Sequence, residues 1–226
     1  LRVAEYNIDD ILGSVFPITR NAYWFISIYV GVILFAPFIN KLLKEMSKKN
    51  YEILLVVSTI ILSILPTFIP YGDVWTNEFT WLIYLYILGG YIRLYGLKLF
   101  KSKKHYLWAF IVTYFLVGII NWMFVCIGKN IDFIAVNASY FSQRHVFSML
   151  FCAVMIFLYF EKLELKKNKI INFGGKITMG VYLFHSNLWI KKILYDDIFM
   201  CEEKLESAFY LVHVLIFIIS IFGITS

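Results

Sequence analysis

Charged side chains are scarce in this chain. Asp, Glu, Lys and Arg make up 16% of its 226 residues, where about 25% is usual for a soluble domain. Apolar residues take their place at 61%, above the roughly 45–50% of globular chains, and aromatics alone reach 19%. A soluble fold of this size lacks the interior to hide so much apolar surface, so lipid is the expected solvent. The same composition excludes disorder, collagen and a disulfide scaffold. Cysteine is sparse too: Cys126, Cys152 and Cys201 are odd in number and show neither CxxC nor a metal-ligand spacing, so no metal site is expected. Repeats, low-complexity tracts and inverted hydropathy symmetry are missing, and no cleavable signal peptide is visible at the start, none being needed if earlier spans precede it. The chain starts at Leu1 and ends in the apolar run Ile216–Ile224 with no polar tail. It is therefore expected to be a single transmembrane domain, 1–226, truncated at the N-terminus and at the C-terminus.

Long apolar runs supply what is present. A bilayer core of about 30 Å needs roughly twenty helical residues. Seven segments approach that length: Tyr23–Ile39, Ile53–Ile69, Phe79–Tyr95, Tyr106–Ile127, Val146–Phe160, Ile177–Leu194 and Ala208–Ile224. They are apolar all round, as spanning helices are, and Tyr23, Trp24, Trp75, Trp81 and Trp108 suit an interfacial belt. The segment from Ile177 is broken by Lys191 and Lys192, a length that also fits a re-entrant piece. Pro37 is expected to kink or end the first span, with Asn40 serving freed backbone groups.

The charges test this count. If the first span runs inward, the cytoplasmic connections are Lys41–Tyr51, Arg93–His105 and Glu161–Lys176, and these hold 14 of the 21 Lys and Arg. With Glu52 added they hold four of the 15 acids, leaving seven bases and 11 acids outside. The sign alternates at every turn, as the positive-inside rule requires. An all-α, polytopic bundle with an outside start and a cytoplasmic C-terminus follows. The net charge of +6 is then topogenic, and no nucleic-acid partner is implied.

Ionisable groups at membrane depth are functional candidates by default. No Asp or Glu lies centrally in any span, which argues against a proton-coupled pump. His185 lies eight residues beyond Ile177, about 12 Å along a helix axis and so near the midplane. Thr178, Tyr182 and His185 share one face by spacing, which Trp189 continues, and Gly174, Gly175 and Gly180 would permit close backbone approach or a non-helical entrance. His185 reads either as a general base on a hydroxyl or as an interhelical hydrogen-bonding side chain. Arg93 reads as a phosphate clamp or an interfacial anchor. Lys98, Lys101, Lys103 and Lys104 read as a topogenic loop or as steering for an anionic substrate. Arg144 and His145 stand at an outer mouth, where they meet an extracytoplasmic acceptor or solvent. His213 lacks polar companions, and His105 belongs to a basic loop.

Three segments together carry a resemblance. Trp24-Phe25, Tyr29 and then Pro37-Phe38-Ile39-Asn40-Lys41 form the first. Tyr86-Ile87-Leu88-Gly89-Gly90-Tyr91-Ile92-Arg93 is the second, and Gly175-Lys176-Ile177-Thr178-Met179-Gly180-Val181-Tyr182-Leu183-Phe184-His185 the third. In this order, over about 160 residues, the set resembles the integral-membrane acyltransferase family 3. The resemblance implies about ten spans with a cytoplasmic amino terminus, of which seven would be present here. It implies a bacterial plasma-membrane enzyme that moves an acyl group, usually acetyl, from cytosolic acyl-CoA to hydroxyls of an extracytoplasmic or lipid-linked glycan. Some relatives are polysaccharide exporters, which is the alternative reading. The family's pattern of a basic residue followed about ten residues later by His belongs to a first span not found in this sequence. The resemblance raises Arg93 as a contributor to an acyl-CoA pocket and His185 as pocket-lining. The main catalytic His is thus expected in that first span, and the candidates present here are His185 for catalysis, with Arg93, Tyr182, Thr178, Trp24 and Arg144 binding substrate.

Overall fold

A computed structural model describes residues 13, 15–18, 20, 23–69, 77–128, 137–163, 168–187, 190–191, 193–200 and 210–225. Among them all regular structure is helical. Seven helices fall on the seven apolar segments: α1 (Trp24–Glu45), α2 (Lys48–Phe68), α3 (Glu78–Tyr95), α4 (Lys103–Gly128), α5 (Phe147–Glu161), α6 (Lys169–Ser186) and α7 (Tyr210–Thr225). Four stretches are long and apolar enough to cross a membrane by themselves: α1, α2, α4, and Tyr140–Glu161, which contains α5. The helix α7 adds a shorter apolar stretch, Val212–Gly223. In α3 four tyrosines, Glu78 and Arg93 dilute the hydropathy, and in α6 Lys169, Asn172 and Lys176 do so. The outward surfaces are apolar, as lipid contact requires: Phe115, Trp122 and Ile219 are all well exposed.

The chain forms two compact units, residues 31–164 and residues 1–30 with 165–226. In the first, α2 to α5 pack in alternating directions. Tyr51, Leu55, Leu62, Trp81, Tyr84, Tyr91 and Leu150 make one buried cluster, and Ile92, Tyr106, Met155 and Leu158 make a second. At one end, Tyr91 donates to Glu52 Oε1 (2.7 Å), Lys48 lies over the Tyr95 ring, and Lys162 Nζ reaches Tyr106 Oη (3.1 Å). This end gathers the end of α3, the starts of α2 and α4, and the end of α5, the lysine-rich connections. At the other end, Thr67 of α2 donates to Ser63 O (2.7 Å) and accepts from Phe147 N (2.9 Å), capping an unpaired N–H at the start of α5. Helix α2 also contains a π-helical turn, Ile60–Ile64. The alternation expected from the charges is therefore present within this unit.

Two expectations about helix ends are corrected. Of the two outcomes expected at Pro37, a kink or an end, the end is not found: α1 runs on to Glu45 with Pro37 inside it. The extra turns are held by tertiary contacts: Asn40 Oδ1 accepts from Tyr86 Oη (3.0 Å) rather than serving the local backbone, and Leu43 is buried in the core. The sixth segment begins eight residues earlier than expected and ends just past His185. Asn168 starts it, its Oδ1 accepting from Ile171 N (3.3 Å), in the manner of an N-cap. Gly174 and Gly175 sit inside the helix, each weakening it by about 1 kcal/mol relative to Ala, too little to interrupt it. Asn187 then breaks the run: its side chain accepts from Ile190 N (3.3 Å) and starts a separate piece, followed by a π-helical turn at Ile193–Ile198. His185 thus occupies the last turn of a helix and not the middle of one.

Candidate functional site

His185 and Tyr182 lie one turn apart near the end of α6, with ring centroids 5.9 Å apart and planes nearly perpendicular. His185 Nδ1 is 2.6 Å from Val181 O. A carbonyl only accepts, so Nδ1 is the donor, and in the neutral ring Nε2 then holds the lone pair. The Ser186 hydroxyl lies 3.4 Å from Nε2. The residue as a whole is half-buried.

Tyr182 is held from α1. The first N–H groups of any helix lack intrahelical partners, and Phe25 N donates to Tyr182 Oη at 3.3 Å. The Phe25 ring meets the Tyr182 ring edge-on at 5.9 Å and stacks on Tyr29 at 6.0 Å. Tyr23 packs against Tyr182 at 6.3 Å, and its Oη accepts from Asn187 Nδ2 (3.0 Å). A hydroxyl that accepts a hydrogen bond donates a stronger one, so Tyr182 is prepared as a donor beside the imidazole.

Other candidates are placed differently. Thr178 is exposed and its hydroxyl donates back to Gly174 O (2.7 Å), so the shared face does not bring it to the Tyr182–His185 pair. Among the described residues nothing approaches within 4 Å of a Cβ at Gly174, Gly175 or Gly180, so the expected close packing there is not found. Trp189 lies outside the described residues. Trp24 sits edge-on to Phe25 and is 45% exposed. His213 Nε2 contacts Phe199 O (2.6 Å) between Phe199 and α7, a structural arrangement.

Arg93 occupies the last turn of α3, exposed and without a hydrogen-bond or ion-pair partner among the described residues. Gly96 closes the helix at φ +69° and ψ 155°, a conformation essentially restricted to glycine. The loop that follows is pinned by the buried Tyr106, whose Oη accepts from Leu99 N and Phe100 N (3.0 Å each) and contacts Phe100 O (3.1 Å). Lys98, Lys101, Lys103 and Lys104 are displayed, exposed, on and beside that fixed loop. At the opposite end of the same unit, Arg144 pairs with Glu78 (2.6 Å) at a shallow cleft of about 20 Å³ that Asn77, Trp81 and His145 also line.

A family model described as an acyltransferase domain, Acyl_transf_3, matches residues 5–225. The chain belongs to acyltransferase family 3. It is a multi-pass membrane acyltransferase. No curated protein and no solved structure matches it. In this acyltransferase the resembling segments meet in pairs. Tyr86 of the second reaches Asn40 of the first, and Tyr182 of the third reaches Phe25 of the first. Sequence reasoning missed Tyr23, Asn187, Glu78, Asn77 and Trp81 as site residues. Asn187 had a detectable signal, a side-chain cap following a helical run; the others depend on partners distant in sequence.

Proposed function

We propose that this acyltransferase moves an acetyl group from cytosolic acetyl-CoA to a hydroxyl of an extracytoplasmic or lipid-linked glycan in a bacterial plasma membrane. The observation that carries the reading is the family match over nearly the whole chain, and the Tyr182–His185 pair gives it a chemistry. The glycan hydroxyl attacks the thioester carbonyl while His185 Nε2 takes its proton. Tyr182 donates to the oxyanion that develops on the carbonyl oxygen. Collapse of that intermediate breaks the C–S bond, and the thiolate of CoA takes the proton back from the imidazolium. Arg93, with its fork of donors, and the neighbouring lysines hold the phosphates of CoA.

The test is transfer of labelled acetyl from acetyl-CoA to host cell-surface glycan by the full-length protein in lipid nanodiscs. His185→Ala is expected to lower turnover by about 10²–10⁴-fold, the usual worth of a general base, with the unfolding midpoint unchanged. Unchanged turnover would assign His185 to structure. Glycan movement across vesicles without acetyl-CoA would instead favour export.

A further inference from the structure

The connection between α3 and α4 carries the run Lys98-Leu99-Phe100-Lys101, and its backbone is gathered onto one side chain. Tyr106, completely buried, lies at the end of the first turn of α4. Its Oη accepts from Leu99 N and Phe100 N at 3.0 Å each and from Lys162 Nζ at 3.1 Å, and donates to Phe100 O at 3.1 Å. Two successive N–H groups aimed at one oxygen make a concave backbone turn, and the phenol fills it. The Phe100 ring meets the Tyr106 ring edge-on at 5.2 Å, and Leu97 packs on the cluster of Ile92, Tyr106, Met155 and Leu158. Lys162, just past the end of α5, also stands 4.4 Å from the centre of the Tyr106 ring. A buried hydroxyl needs only one partner to be satisfied. This one has four, three of them on the connection, and it ties that connection to α5.

The bonds fall on particular peptide units. Leu99 N belongs to the peptide that begins at Lys98, and Phe100 O to the peptide that ends at Lys101. The Cα of each lysine therefore lies in a peptide plane that Tyr106 holds. Both lysine side chains are exposed and have no hydrogen-bond or ion-pair partner among the described residues. A fixed backbone that carries exposed ammonium groups is preorganised for an anion, because the ordering a mobile loop undergoes on binding is already made in folding. We propose that Tyr106 is a positioning residue for the acyl donor: it fixes the backbone from which Lys98 and Lys101 meet the phosphates of acetyl-CoA. The inference rests on the donor contact assigned above to Arg93 and the neighbouring lysines. Tyr106 is completely buried, so it touches no donor and acts only through those lysines. Lys162 steadies the phenol from α5.

The experiment uses the full-length protein in nanodiscs and two donors. Acetyl-pantetheine carries the same thioester as acetyl-CoA but none of its phosphates. Tyr106→Phe keeps the buried ring and removes only the oxygen. It is expected to speed amide hydrogen exchange at Leu99 and Phe100 and to raise the acetyl-CoA KM about tenfold, with kcat unmoved. The preference for acetyl-CoA over acetyl-pantetheine should narrow by the same factor. Lys162→Met, which leaves the phenol in place, should shift both readings in the same direction by less. In a Lys98→Gln/Lys101→Gln background, which alters only exposed side chains, Tyr106→Phe should raise the acetyl-CoA KM no further. A preference that survives Tyr106→Phe, an equal rise in KM for both donors, or an undiminished effect in the lysine-free background would overturn the proposal. Calorimetry of CoA and pantetheine binding separates this proposal from the reading beneath it. Tighter binding of CoA, lost in Tyr106→Phe, with no acetyl transferred by native protein, refutes the acyl-transfer reading and leaves the positioning role standing. Transfer by native protein with no preference between the two donors refutes the phosphate contact and the positioning role together, with acyl transfer intact.

Discussion

Replacing Gly90 by Ala places a methyl group 2.9 Å from the Tyr51 hydroxyl oxygen. Tyr51 has little room to retreat. It is completely buried, its Oη donates to Ile87 O (2.8 Å), and its ring meets those of Tyr91 and Tyr95 edge-on. Relieving the contact requires shifting the ring, at about 1–3 kcal/mol for overpacking, or losing the hydrogen bond of a buried hydroxyl, at a further 1–3 kcal/mol or so. Alanine returns about 1 kcal/mol through helix propensity. The neighbouring Gly89 is the internal control, because a Cβ there meets nothing within 4 Å among the described residues. Gly89→Ala should be neutral or slightly stabilising, and Gly90→Ala should be less stable than it by at least about 1 kcal/mol. Reversible unfolding in mixed micelles, followed by tryptophan fluorescence, measures both. Tyr51→Phe removes the clashing oxygen, so in that background the Gly90→Ala penalty should shrink, giving a positive coupling in the double-mutant cycle. Equal stability of the two alanine variants, or no coupling to Tyr51, would refute the reasoning.

Other expectations concern the lysine-rich end and the Tyr182–His185 pair. Arg93→Gln should raise the KM for acetyl-CoA by about tenfold, and added salt should weaken the donor affinity of native protein more than that of the variant; steady-state kinetics at two ionic strengths measures this. Gly96→Ala should destabilise by about 1–3 kcal/mol because φ of +69° with extended ψ strains any residue bearing a Cβ, read from the same unfolding assay. Tyr182→Phe should lower kcat by about 10²-fold with little change in the donor KM, the pattern of a lost oxyanion donor.

Much of the fold was legible because membrane helices announce themselves by length and apolarity. The seven apolar runs and the alternating basic connections need no tertiary information: each helix satisfies its own backbone in lipid. The family segments were legible as order and spacing along one chain. What was not legible depended on partners. Asn40 was expected to serve the local backbone, but Tyr86 lies 46 residues away and claims it. Thr178 and His185 share a face by spacing, yet a hydroxyl one turn from its own carbonyl bonds there first. The Gly-Gly pair in α6 carried the same signal as the pair in α3, and only Gly90 proved to be packed against another helix.

By itself, then, the sequence determined an all-helical membrane protein, its alternation of basic ends and its family, because composition, charge position and motif order are properties of the chain alone. The tertiary structure decided where α6 starts and stops, that Tyr182 is held by Phe25 beside His185, and that Glu78 and Arg144 pair across 66 residues of sequence. Those depend on which hydrogen-bonding groups in neighbouring helices reach one another first, and periodicity along a single helix carries no record of that competition.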